Sequence, residues 1–161
     1  MKNRRLIFLI EVIWWLITAI FVYVILLPVP GAFSGFSFLF HSIFFIVAFI
    51  TLVRYIFLLH LTPIKNYKPA KVVLIFLSVP FVFMLVQFLN NFFIYVDEHG
   101  YEALVNHVNL NTSKDVQRTA RYIQTIIVFF GTASVIAAIL LPIRMVVSLY
   151  KQIKYGSKAR N

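Results

Sequence analysis

VVLIFLSVPFVFMLVQFLNNFFIYV, residues 72–96, runs for 25 residues without one charged side chain. Inside hydrocarbon the backbone has no water to bind. A stretch of this kind therefore crosses as a helix, and about 20 apolar residues are enough. The same reading applies over 6–27, over 38–60, and over 122–150 within a longer helix expected at 114–152. Hydrophobic residues make up 61% of the 161, and charged ones only 12%, about half the share of a soluble domain. The class this predicts is an all-α integral membrane protein, four transmembrane helices forming one compact bundle over residues 1–161.

The first stretch begins after basic residues, as a secretory signal does. Its apolar run of about 22 residues exceeds the 7–15 of a signal core, and it carries Glu11, so it reads as a span. Charge then orients the chain. Lys2, Arg4, Arg5, Arg54, Lys65, Lys68, Lys71, Arg144, Lys151, Lys154, Lys158 and Arg160 all lie towards one set of span ends. The positive-inside bias makes that side, with both termini, cytoplasmic. Only Lys114, Arg118 and Arg121 fall in the opposite loop, among Asp97, Glu98, Glu102 and Asp115. The net charge of +10 thus follows the membrane and argues against a nucleic-acid partner. The absence of cysteine excludes disulfides and thiolate chemistry. Together with short loops it points to a bacterial cytoplasmic membrane.

Between spans three and four, Tyr101, Leu104, Val105 and Val108 recur at helical spacing. They predict a short amphipathic helix over 97–112 on the outer surface. Pro80 predicts a kink in span three, because proline removes a backbone donor.

Ionisable and polar groups within spans are costly, which makes them the candidate sites. Glu11, Arg54 and Arg144 sit at similar depth near the cytoplasmic side. Glu11 can pair with either arginine as a structural tie, pair with another subunit, or carry a proton. At the outer side His41, Gln87, Asn90, Asn91 and Gln124 form a second set. They read as interhelical hydrogen bonds or as the lining of a polar cavity. Gly131, Ser134 and Ala138 form a small-residue stripe on span four that allows close helix packing. Trp14 and Trp15 lie mid-span and are expected to pack against neighbouring helices.

Asp97, Glu98, His99 and His107 bear ligand-capable groups, but the two histidines are eight residues apart and fit no helical metal pair. No phosphate loop and no nucleophile motif is present, so no cofactor, metal or catalytic residue is expected. A transporter usually needs broken helices at the midplane, and a channel needs a polar stripe. Elimination leaves a small non-enzymatic subunit that assembles with, stabilises or tunes a larger membrane complex for transport, secretion or proton-driven work. Its partners would be the bilayer and other integral subunits, in a hetero-complex. The alternative is a small oligomeric transporter or ion conductor that uses Glu11.

Overall fold

In the computed structural model, residues 2–31, 38–59, 62, 67–106 and 112–158 are described, with side chains given over 9–154 of these. The regular structure of the described residues is all helical: α1 (Lys2–Leu26), α2 (Leu39–Phe57), α3 (Lys68–His99) and α4 (Ser113–Lys158), with a short 3-10 helix at Tyr101–Val105. All four α-helices are long and apolar enough to cross a membrane. They define a multi-pass membrane protein.

The longest helix organises the packing. Along α4 the buried positions Ala120, Ile123, Ile127, Gly131, Ser134, Ala138, Leu141 and Met145 recur at intervals of three or four. Such spacing keeps one narrow seam turned towards neighbouring helices. That seam meets both α2 and α3. The opposite side carries Phe129, Ile136, Leu140 and Ile143, all exposed. In water such residues would mark an aggregation face; against lipid tails they are the proper covering.

Where the small-residue stripe crosses α2 and α3, contact is closest. A Cβ added to Gly131 would stand 2.8 Å from Leu89 Cδ1 and 3.5 Å from the Phe45 ring. One turn on, the Ser134 hydroxyl donates to the Phe45 carbonyl at 3.0 Å, fully buried. Dispersion scales with such proximity, and it is the main attraction available between helices in lipid.

α1 is the helix most loosely attached to the others, packing mainly on α2. Thr18, Val22 and Leu26 form its buried stripe, spaced by four, while Leu16, Ile20, Phe21 and Val24 are exposed. Thr18 donates back to the Trp14 carbonyl within α1 at 2.9 Å, so its hydroxyl is satisfied locally. Trp14 is half-buried but Trp15 is exposed, which corrects the expectation that both indoles pack internally. Two successive residues point about 100° apart on a helix, and only one can join a narrow stripe.

α3 runs unbroken through Pro80. It ends at Gly100, whose φ of 77° lies in the left-handed region and whose N–H donates to the Val96 carbonyl. Over the described part of the segment expected to be an amphipathic helix at 97–112, residues 97–106, no such separate helix forms. Residues 97–99 complete α3, and the turn at Gly100 leads into the five-residue 3-10 helix. Leu104 and Val105 there are buried, with contacts to α3 and α4. Leu104 and Val105 plug the gap between two helix ends; they do not float on a lipid surface. Val108 and His107 lie outside the described residues.

Candidate functional site

The terminal end of the helices holds a charge pair. Arg54, in the last turn of α2, directs both guanidinium nitrogens at Glu11 of α1. Nη1 donates to Oε2 at 2.8 Å and Nη2 to Oε1 at 2.6 Å. This two-pronged geometry matches the planar fork of arginine to the carboxylate and is the strongest form of ion pair. Arg54 is only 4% exposed. The Glu11 side chain keeps 25% of its surface. On another side the guanidinium carbon lies 5.3 Å from the centre of the Trp14 ring, a cation–π contact. The indole N–H of Trp14 has no hydrogen-bond partner among the described residues.

Arg144 does not join this pair. Its Nε donates to the Ile56 carbonyl at 2.9 Å. Carbonyls in the last turn of a helix have no intrahelical donor. Arg144 supplies one, and its charge favours the negative end of the α2 dipole. The geometry predicts a clean separation by double-mutant cycle. Glu11→Gln with Arg144→Met should be additive to within about 0.5 kcal/mol. Glu11→Gln with Arg54→Met should show a coupling of more than about 1 kcal/mol, read from unfolding in mild detergent.

A third polar knot lies at the same end, built on a residue that sequence reasoning counted only as an interfacial charge. Lys71, in the first turn of α3, is 1% exposed. Its Nζ donates to Ser148 Oγ and Gln152 Oε1, each at 3.0 Å. Ser148 and Gln152 are four apart on α4 and so present both acceptors on one face. The available signal was Ser148 and Gln152 at helical spacing, level with the start of span three.

At the other end the expected polar set is dispersed. His41 packs into aromatic rings, 5.3 Å from Phe38 and 5.2 Å from Phe88, and its Nδ1 has no partner among the described residues. Gln124 lies beside the 3-10 helix, its amide 3.5 Å from the Tyr101 hydroxyl. Gln87, Asn90 and Asn91 are exposed on the outward side of α3. The five therefore face different surroundings and do not form one cluster.

The loop carboxylates and His99 are likewise apart. The His99 ring stacks on Tyr95 at 4.6 Å, with Nδ1 3.2 Å from the Tyr95 carbonyl. Glu98 stands 3.9 Å away. Among the described residues no group of three metal-capable side chains converges.

Compared with known proteins, the chain matches no family, no curated protein and no solved structure. The class rests on the four apolar helices, and the functional reading rests on the sites themselves.

Proposed function

We propose that this protein is a small non-enzymatic subunit that binds within the bilayer to other integral membrane proteins of a larger complex. The observation that carries the reading is the outward face of α3. The 25 uncharged residues between Lys71 and Asp97 rise about 38 Å. A hydrocarbon layer of about 30 Å centred on that run places Gln87 about 5 Å from the midplane and Asn91 about 10 Å. Gln87, Asn90 and Asn91 stand at i, i+3 and i+4, exposed, and no hydrogen bond satisfies their amides among the described residues. Lipid tails offer them nothing, whereas the polar groups of another helix do. Phe76 and Phe83, also exposed, continue the same line of the helix, giving large apolar surface beside the amides.

In this reading the four helices form one compact bundle with both termini in the cytoplasm, in a bacterial inner membrane. The orientation is supported by the basic residues gathered at the terminal end. The larger complex would be a machine for transport, secretion or proton-driven work. A hetero-complex is favoured because the described residues are almost all committed to membrane-length helices. The bidentate hold of Arg54 on Glu11 supports a structural tie over a carrier of protons, since protonating the carboxylate would strand a buried guanidinium.

The test is co-purification. Wild-type protein drawn from its native membrane in mild detergent should carry a partner in fixed proportion. Changing Gln87, Asn90 and Asn91 together to leucine should leave helicity and thermal stability unchanged. At about 0.6 kcal/mol for each interhelical amide bond, association should weaken by roughly 20-fold. A wild-type protein that emerges alone, or a triple variant that keeps its partner undiminished, would overturn the proposal.

A further inference from the structure

At the end of the helices opposite the termini, the close of α1 and the start of α4 enclose a groove of about 960 Å³. Pro28, Pro30 and the ring of Tyr122 line it together with Lys114, Arg118 and Arg121. The three cations occur at i, i+4 and i+7, so one face of α4 presents them all. Among the described residues they are the only Lys or Arg side chains at this end of the helices.

Their depth is fixed by two observations. The apolar run of α1 ends at Leu27, and the Tyr122 hydroxyl donates to the Ile25 carbonyl at 3.0 Å. Tyr122 therefore sits where hydrocarbon gives way to headgroups, the usual level of a membrane tyrosine. Along α4, Arg121, Arg118 and Lys114 lie about 1.5, 6 and 12 Å further out. The headgroup layer on each side is about 5–8 Å thick. Both arginines fall inside it, and the Lys114 backbone stands about 4 Å or more beyond it, from where its long side chain can reach back.

These cations are not spent on the protein. All five carboxylates of the side chains, Glu11, Asp97, Glu98, Glu102 and Asp115, belong to the described residues. None comes within 4 Å of Lys114, Arg118 or Arg121 among them, the Arg54–Glu11 and His99–Glu98 contacts being the pairs formed. Asp115 also lines the groove, which leaves it two positive charges in excess. Two guanidinium forks suit the oxygens of a phosphate, and the apolar floor suits the glycerol and upper chain of a lipid.

We infer that this groove binds the phosphate of an anionic phospholipid headgroup, gripped by Arg118 and Arg121 with Lys114 above. The site does not depend on the assembly face of α3, so the two readings fail separately. The test uses the full chain, delipidated in mild detergent and titrated with phosphatidylglycerol or phosphatidylcholine under native mass spectrometry. The first phosphatidylglycerol should bind at least tenfold more tightly than phosphatidylcholine. Arg118→Gln with Arg121→Gln should weaken it about 25-fold, roughly fivefold for each cation removed. Arg118→Lys with Arg121→Lys should stay within about fivefold of wild type. Lys151→Gln with Lys154→Gln, at the far end of α4, should leave this first affinity within twofold. Equal affinity for the two lipids would overturn the inference, as would an equal loss from the Lys151 and Lys154 changes, which would mean diffuse surface charge. Displacement of the lipid by millimolar glycerol phosphate would also overturn it, by showing a site for free phosphate.

Discussion

Arg54→Ala is expected to cost about 3 kcal/mol of stability, a fall in melting temperature on the order of 10 °C in mild detergent. The mechanism is the stranded partner. Glu11 would keep its place on α1 with no counter-charge, in surroundings that cannot hydrate it fully. Breaking one side of a buried pair typically costs about 3–5 kcal/mol, and the lower figure applies because the Glu11 side chain retains a quarter of its surface. Trp14 would lose its cation as well. Glu11→Gln combined with Arg54→Gln should recover at least half of the loss, since two amides can meet across the same gap without charge. Thermal unfolding of the three proteins decides it. If Arg54→Ala melts like wild type, the pair does not hold α1 in place.

Gly131→Leu should be the most damaging single change on α4, at about 2–4 kcal/mol. Leu89 and Phe45 already fill the space into which the side chain would grow. Overpacking at such a point costs about 1–3 kcal/mol and pushes helices apart. Separation would also break the bond from Ser134 to the Phe45 carbonyl, worth about 1 kcal/mol more. Gly131→Ala should be close to neutral. Its methyl meets the far end of Leu89, which can rotate away, and alanine regains about 1 kcal/mol of helix propensity. Thr132→Leu, one residue on and exposed, should lie within about 0.5 kcal/mol of wild type. A Gly131→Leu protein as stable as Thr132→Leu would refute the close packing of α4 on α2 and α3.

What the sequence made legible was depth. Long uncharged runs located the helices, and Glu11 and Arg54 could be matched because each lies a few residues from the same end of its span. Depth alone does not give azimuth. Arg144 lies as deep as Arg54, yet it reaches the Ile56 carbonyl instead of Glu11. Gln87, Asn90 and Asn91 share a helix face by spacing, but only packing shows that this face points outward, away from His41 and Gln124. Lys71 was hidden for the same reason. A lysine at a span boundary reads as a topology signal, and its burial depends on Ser148 and Gln152, which are 77 and 81 residues further along the chain. The segment after α3 misled through its period. Leu104 and Val105 fit an amphipathic helix, but Gly100 bends the chain and five residues are too few to lie on a surface.

If the amide face of α3 meets protein within the bilayer, site-specific photo-crosslinking in native membranes will capture that protein. A photoreactive side chain replaces Gln87 in one version of the chain and Ile136, on the exposed side of α4, in another. A single discrete protein adduct is expected from position 87, and lipid adducts alone from position 136. Lipid adducts alone from position 87 as well would mean that the amide face has no protein partner.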